Sequence, residues 1–212
     1  MSSSQSVDAA DLLASASELG TATLHEAAGR RGALPRRIRQ ITAGLAMAGR
    51  AFTVVCPPMD NLWLHRAVSM AKPGDVLIAD VGGAVDGGYW GEILSHAAVA
   101  RGLAGLVIDG CVRDSARLAA IGLPVFARGI CIEGTGKDDG RTRGGVGSVL
   151  RLGTVAISPG DFVIGDEDGV AAFAATEMPE IIDISKRRAL KEIEYVRKIQ
   201  SGVSTLELLG LD

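Results

Sequence analysis

The sequence has few aromatic residues and no long apolar run, and each absence excludes a class of protein. Aromatic residues make up only 4% of the 212 residues, so the core must be built mainly from Ala, Val, Leu and Ile. No run of about 18 apolar residues occurs, and we therefore predict that the protein has no membrane partner. Residues 1–5 lack a basic segment followed by an apolar one, so we expect no signal peptide and a cytoplasmic protein.

The sequence also lacks an excess of positive charge. Its formal net charge is −3, whereas proteins that bind nucleic acids need a basic face. The basic run at residues 186–188 lies in a mixed-charge helical pattern, so we interpret it as a solvated helix face rather than a nucleic-acid patch. The three cysteines form no CxxC motif, which predicts buried thiols in a reducing compartment.

The remaining composition predicts one folded α/β domain over residues 1–212. Hydrophobic residues make up 47% of the chain and charged residues 22%. Strand–loop–helix units in the middle predict parallel strands, and we expect a helix over residues 60–70 and a strand over residues 103–109 that ends in a turn at Gly110. The glycine-rich second half predicts an antiparallel or mixed sheet, and Pro-Gly-Asp turns at residues 73–75 and 159–161 each precede a strand. We expect an N-terminal helical arm over residues 1–35, with a break at Gly20 and N-caps at Asp8 and Thr21, and a C-terminal helix within residues 179–212.

A glycine-rich loop, residues 81–88, leads into a predicted helix that starts near Gly91 and Glu92. A helix start presents unpaired backbone N–H groups and a partial positive charge, so it can receive a carboxylate or phosphate. Neither the dinucleotide-binding glycine fingerprint nor a P-loop occurs here. A purely structural loop is the alternative.

A second motif, residues 109–114, follows an apolar strand and precedes another helix. In open α/β sheets the ligand crevice lies beyond the carboxyl ends of the strands. Arg113 is a candidate for gripping a carboxylate, and Asp114 for binding a hard cation such as Mg²⁺ or Mn²⁺. The alternative is a surface arginine and a helix-capping aspartate. Glu92, likewise, is either a favourable charge at a helix start or an acid that could orient metal-bound water.

Taken together, these segments resemble the RraA-like aldolase family. The matching segments are YWGEIL (89–94), GLVIDGCVRD (105–114), GLPVFARG (122–129), PGD (159–161) and GDEDGV (165–170). The family includes 4-hydroxy-4-methyl-2-oxoglutarate and 4-carboxy-4-hydroxy-2-oxoadipate aldolases with oxaloacetate decarboxylase activity, and also the regulator of ribonuclease E activity. The resemblance extends from about residue 38 to the C-terminus.

The resemblance implies a swivelling β/β/α fold of the phosphohistidine-domain type, assembled as a homotrimer or homohexamer. It implies pyruvate bound at Gly91 by the N–H groups of Ile93 and Leu94 and by Arg113. A divalent metal, Mg²⁺ or Mn²⁺, would be held by Asp114 and waters.

The resemblance further implies that a glutamate on the C-terminal helix of the next subunit completes the site. Glu192 matches that glutamate best, and Glu194 is the alternative. One position departs from the family, since Arg117 stands where the aldolases usually have an acid.

We therefore expect a metal-dependent lyase that releases pyruvate from 2-oxo acids, with Glu92 or Glu192 as the group that helps to remove the hydroxyl proton. No lysine lies in the central block, which favours metal over Schiff-base chemistry. Two alternatives remain: a non-catalytic regulator of an RNA-processing enzyme, and a related hydrolase or isomerase of oxo acids. Arg117 could bind an extra carboxylate of a larger substrate.

Overall fold

A computed structural model of the protein describes residues 8–138 and 143–211. The helices of this part of the chain are α1 (Ala9–Ala27), α2 (Leu62–Met70), α3 (Glu92–Ala100), α4 (Ser115–Ile121), α5 (Met178–Gln200) and α6 (Thr205–Leu209). The strands are β1 (Arg39–Gln40), β2 (Met47–Val55), β3 (Asp75–Asp80), β4 (Gly88–Trp90), β5 (Gly105–Val112), β6 (Val125–Ile130), β7 (Gly145–Val146), β8 (Leu150–Leu152), β9 (Val155–Ile157), β10 (Phe162–Asp166) and β11 (Gly169–Phe173).

One nine-stranded sheet organises the domain. Its central strands follow the order β1-β6-β5-β3-β2-β10-β11, and β4 pairs with β5 while β7 pairs with β2. The pairs from β2 through β6 are parallel, and β10 and β11 are antiparallel, as the sequence predicts. Leu34 N–H donates to the Val170 carbonyl of β11 just before β1, so the sheet nearly closes into a barrel. The prediction of a mixed α/β fold with terminal helices is confirmed.

Apolar side chains fill both faces of this sheet. On one face α2, α3 and α4 cover a cluster that includes Leu77, Leu106 and Ile108, all fully buried. On the same face, α1 and the first half of α5 pack against β10 and β11. The opposite face carries a second buried cluster that includes Val76 and Val107 and is extended by side chains of β8 and β9. None of the helices in the described ranges is long and apolar enough to cross a bilayer.

The N-terminal arm packs on its own chain. Asp8 is the N-cap of helix α1, and its carboxylate accepts a hydrogen bond from Ala10 N–H at 3.3 Å. The helix kinks at Gly20, which has φ 77°. The second part of the helix is not capped by the Thr21 hydroxyl as predicted. Instead, the N–H and the hydroxyl of Thr21 both donate to the carboxylate of Asp166, the last residue of β10, at 2.8 and 2.6 Å. Residues 1–7 of the predicted arm lie outside the described residues.

Two element boundaries, the start of α2 and the end of β5, differ from the predictions. We expected Asp60 to begin a helix, but α2 begins at Leu62, whose N–H donates to the Asp60 carboxylate at 2.9 Å. We also expected a turn at Gly110. Strand β5 runs through it to Val112, because β4 pairs with Cys111 and Val112 and thereby extends the ladder. A side chain at Gly110 would collide with Val81, so only glycine fits there.

Candidate functional site

The two predicted motifs meet at one end of the parallel strands. Strands β4 and β5 lie side by side, and Arg113 N–H donates to the Trp90 carbonyl at 2.8 Å immediately beyond them. Helix α3 starts after β4 and helix α4 starts after β5, so the two helix starts face a common cleft. This is the crevice position expected for a ligand in a parallel sheet.

This cleft has a volume of about 170 Å³. Its lining includes all the residues predicted at the first helix start and both residues of the Arg-Asp pair: Gly91, Glu92, Ile93, Leu94, Arg113 and Asp114. The remaining lining residues are Asn61, His65, Gly88, Tyr89 and Lys137. Six of the eleven lining residues are therefore residues that the sequence analysis named as site candidates.

Asp114 joins the two helix starts. Its Oδ2 accepts a hydrogen bond from Glu92 N–H at 3.0 Å, so it caps α3 from outside that helix. Its own backbone is left-handed, with φ 58°, a conformation that aspartate adopts more readily than most residues. The N–H groups of Ile93 and Leu94 have no carbonyl partner inside the helix, and both residues line the cleft.

Two glycines allow the close approach that forms the cleft. A Cβ at Gly91 would overlap with Asp114 Oδ2, and a Cβ at Gly88 would come within 2.9 Å of Arg113 Cβ. Trp90, between them, is buried and donates to Ser95 Oγ at 2.6 Å. It is therefore a packing residue that fixes the start of α3.

The charged groups of the cleft are partly exposed. Arg113 Nε lies 3.9 Å from Asp114 Oδ2. Glu92 Oε1 lies 3.9 Å from Arg117 Nη1 and 4.0 Å from His96 Nε2. These separations exceed hydrogen-bond length, so the side chains have donors and acceptors left for a ligand.

Sequence reasoning missed the wall formed by Asn61, His65 and Lys137. Asn61 and His65 are four residues apart at the start of α2, a spacing that places them on one helix face. Asn61 Nδ2 donates to the Tyr89 carbonyl at 2.9 Å. Its buried Oδ1 has no hydrogen-bond partner within the described ranges, which leaves an acceptor for a ligand.

Lys137 lies outside the central block of the sequence, yet it joins the lining of the cleft. The segment before it pairs with residues 59–61, since Gly136 N–H donates to the Met59 carbonyl at 2.7 Å and the buried Asp60 accepts from Asp138 N–H. These contacts bring Lys137 to the cleft, where it remains exposed. Desolvation, together with the charge of Lys137, lowers the pKa of His65.

Glu192 does not line this cleft within its own chain. It lies on the exposed second half of α5, where its carboxylate pairs with Arg188 Nε at 2.8 Å. Glu194 is also exposed and pairs with Lys198. Within the part of the chain that the structure describes, no three His, Cys, Asp or Glu side chains form a ready-made metal cluster.

Two other features, the cysteine thiols and a surface depression larger than the cleft, are weaker candidates for a functional site. Burial raises the pKa of Cys56 to about 12 and also raises that of Cys111, so neither supplies a thiolate at neutral pH. A depression of about 700 Å³ between α1 and the β10–β11 turn includes Arg36 and Arg39 together with Asp168. Unlike the cleft, this depression does not lie where parallel strands lead into helix starts.

A buried ion cluster supports the strands behind the cleft. Asp109 on β5 accepts hydrogen bonds from Arg37, at 3.1 and 3.0 Å, and from Arg128, which also donates to the Gly83 carbonyl. Desolvation opposes ionisation of Asp109, but the two guanidinium groups outweigh it and lower its pKa. The cluster links the N-terminal segment, the glycine-rich loop and β6.

Comparison with known proteins identifies the family of the chain. A family model for RraA-like proteins, described as Aldolase/RraA, matches residues 9–172. A protein of Halalkalibacterium halodurans with the name "Putative 4-hydroxy-4-methyl-2-oxoglutarate aldolase" is 29% identical over 176 residues, which are 82% of this chain and 81% of that protein.

Two solved structures are similar over much of the chain. A protein of uncharacterized function from Pseudomonas syringae has a TM-score of 0.79 at 27% identity, over 92% of this chain and 95% of its own. The RNA-processing inhibitor RraA from a Thermus species has a TM-score of 0.66 at 27% identity, over 73% of this chain and 92% of its own. The chain therefore belongs to the RraA-like family.

Proposed function

We propose that the protein is a divalent-metal-dependent lyase that cleaves 4-hydroxy-2-oxo di- or tricarboxylic acids to pyruvate and a second 2-oxo acid, and that also decarboxylates oxaloacetate. The observation that carries this proposal is the cleft itself, in which Arg113 and Asp114 face the start of α3. Relatives named as aldolases, at about 30% identity, support the lyase class.

The residues of the cleft suit the pyruvate half of such a substrate. The N–H groups of Ile93 and Leu94 would receive its carboxylate, because a helix start favours an anion. Arg113 would donate to a carboxylate or carbonyl oxygen from the opposite side of the cleft. Asn61 and Lys137 would add an acceptor and a positive charge along the third wall.

Cleavage requires the cleft to stabilise negative charge. When the C3–C4 bond breaks, its electrons pass to the pyruvate half as an enolate, the C4 hydroxyl loses its proton and C4 becomes a carbonyl carbon. The enolate then takes up one proton at C3 to give pyruvate, so the proton count balances. Arg113 would stabilise the enolate oxygen, and removal of one such fixed donor commonly costs a factor of about 10² to 10³ in kcat. Glu92, or Glu192 of the partner subunit, would accept the hydroxyl proton.

The donors around Asp114 fit a hard cation. One exposed carboxylate with open space beside it suits an ion such as Mg²⁺, which keeps several waters, and the lining has no thiolate for a softer metal. Held by Asp114, such a cation would supply Lewis-acid stabilisation of the developing charge.

Lys137 raises the competing possibility of a Schiff-base lyase. An amine becomes nucleophilic at neutral pH when it is desolvated, whereas Lys137 is exposed to solvent. We therefore retain the metal route. Treatment with borohydride and pyruvate should leave the mass of the protein unchanged, and a reduced pyruvyl adduct on Lys137 would overturn this choice.

Support for a site shared between subunits comes from α5. Its first half is packed on α1, whereas no residue from 186 to 200 is buried. Leu190, Ile193 and Val196 are 69%, 52% and 51% exposed, which is an apolar surface without a partner in its own chain. In a homotrimer or homohexamer this half-helix would be covered by a second subunit and could carry Glu192 to the neighbouring cleft.

The direct test is metal-dependent turnover. The purified protein should release pyruvate from oxaloacetate and from 4-hydroxy-4-methyl-2-oxoglutarate, should lose this activity in EDTA, and should regain it with Mg²⁺ or Mn²⁺. EDTA-resistant pyruvate release would refute the metal mechanism. The likeness to an RNA-processing inhibitor makes a non-catalytic regulator the second candidate, and such a protein should release no pyruvate at all.

Mixing two inactive variants tests the shared site. Arg113→Ala and Glu192→Gln should each be inactive alone. If the site combines residues from two subunits, subunit exchange between the variants restores some sites with both residues intact, and activity returns. Mixing Arg113→Ala with Asp114→Asn is the matched control, since both residues lie on one chain, and it should restore nothing. Recovery in neither mixture would place Glu192 outside the site.

A further inference from the structure

Arg117 lies at the rim of the candidate cleft, one helical turn beyond Asp114. Its N–H donates to the Asp114 carbonyl at 2.8 Å, which fixes its position on the first turn of α4. Its side chain is 72% exposed, and Nη1 lies 3.9 Å from Glu92 Oε1. Across residues 8–138 and 143–211, the Arg117 guanidinium makes no hydrogen bond, so its donors are available to a ligand.

The positive charge around the cleft exceeds what binding the single carboxylate of a pyruvate group requires. Three cations, Arg113, Arg117 and Lys137, face two carboxylates, Glu92 and Asp114, which gives a net charge of +1. A divalent cation at Asp114 would raise this surplus. The helix start and Arg113 suffice for the carboxylate of a pyruvate group, so the charge at the rim is left for another anionic group.

We propose that Arg117 is a specificity-determining residue that receives a second carboxylate, on the part of the substrate beyond the bond that breaks. The preferred substrates are then 2-oxo acids with at least two carboxylates rather than monocarboxylates. This inference rests on the proposed lyase function of the cleft. The competing explanation is that Arg117 forms only a loose surface ion pair with Glu92, which would not distinguish between substrates.

Two substrates with the same pyruvate half test the proposal. 4-Hydroxy-2-oxopentanoate carries a hydrogen at C4 where 4-hydroxy-4-methyl-2-oxoglutarate carries a carboxylate. For Arg117→Gln we expect KM for the dicarboxylate to rise about tenfold, the loss typical of one charge-assisted hydrogen bond, while its kcat stays within about twofold. Both constants for the monocarboxylate should stay within about twofold. Arg117→Lys should retain part of the preference, because it keeps the charge without the planar fork.

Arg30→Gln is the matched control. Arg30 also faces a glutamate at the surface, Glu26, with side-chain exposures of 76% and 35% that resemble the 72% and 37% of Arg117 and Glu92. It lies outside the cleft, so its variant should treat both substrates as the wild type does. Thermal denaturation of both variants checks that they fold equally well.

The outcomes separate the inference from the function on which it rests. If the wild type releases pyruvate but Arg117→Gln changes neither substrate, or changes both equally, Arg117 is no specificity determinant. An equal fall in kcat for both would instead mean that Arg117 positions Glu92. If the wild type releases pyruvate from neither substrate, the proposed function itself is wrong, and the inference falls with it.

Discussion

Replacing Asp114 separates its role in holding the fold from its proposed role in the reaction. Its side chain accepts a hydrogen bond from Glu92 N–H at 3.0 Å, an interaction of the N-cap type that is worth about 1 kcal/mol. Its φ of 58° costs an alanine roughly 1 kcal/mol, whereas asparagine tolerates this conformation. Asp114→Ala should therefore lower the free energy of unfolding by about 2 kcal/mol.

Asp114→Asn should behave differently. The amide oxygen can still accept from Glu92 N–H, so the main loss is a negative charge near the start of α3, worth about 0.5 kcal/mol. Pyruvate release should nevertheless fall at least about 100-fold in both variants, because both lack the anionic oxygen proposed to hold the metal. Activity and stability should thus respond to different properties of this side chain.

Urea denaturation and oxaloacetate decarboxylation with saturating Mg²⁺ measure the two effects on the same samples. Asp183→Asn is a suitable control, since this carboxylate is exposed on α5 and pairs only with Arg187 in the described structure. The reasoning fails if Asp114→Asn keeps wild-type activity, or if Asp114→Ala is as stable as the wild type. The first result would remove the metal role and the second the capping role.

Three further predictions concern the surroundings of the cleft. Asp109→Asn should lower the free energy of unfolding by about 2 kcal/mol at pH 7, because it breaks a buried ion cluster. Folding lowers the Asp109 pKa below 3.8, so this stabilisation is present above pH 3.8 and is lost as the pH falls through the lower pKa of the folded protein. If urea titrations in acid still show a stability difference between wild type and Asp109→Asn, the ion cluster is not its cause. Lys137→Met should raise the pKa of His65, measured by NMR titration, because one of its two lowering influences disappears; an unchanged value would mean that the two groups do not interact. Gly91→Ala should lower both thermal stability and pyruvate release, since the new Cβ overlaps with the carboxylate that caps α3, whereas Gly145→Ala, which meets no atom within 4 Å, should be tolerated.

The parts of the fold that were predictable have local causes. Hydrophobic strands alternating with helices predicted the parallel centre, and both Pro-Gly-Asp turns ahead of strands can be read directly. In each turn the aspartate accepts from the N–H three residues earlier at 2.8 Å, at Lys72 and at Ser158, so one sequence motif gives one shape. The path of β5 through Gly110 was not predictable, because it depends on pairing with β4, whose paired residues lie 22 and 23 positions earlier in the sequence.

The residues of the candidate site also divide into those that a local sequence pattern could locate and those that it could not. Gly91 and the Arg113-Asp114 pair could be located because a strand end leads directly into each helix start. Lys137 could not be located, since it reaches the cleft through hydrogen bonds between residues 59–61 and 136–138 that no local pattern encodes. The capping of α3 by Asp114 also joins residues 22 positions apart, and only the folded sheet brings them together.

The cleft has a packed floor and an exposed edge, and this difference indicates which of its residues would determine substrate specificity. The cleft floor is held by the ladder between β4 and β5, by the shared Asp114 cap and by glycines that leave no room for a side chain. For the proposed reaction, a floor held in this way would present its donors to the developing charge without a closing movement. Arg117 and Lys137 lie at the edge and are exposed, so we expect their exchange to leave that floor intact. A change of substrate in this fold should therefore begin at the rim, and variants that exchange only rim charges should alter KM before they alter kcat.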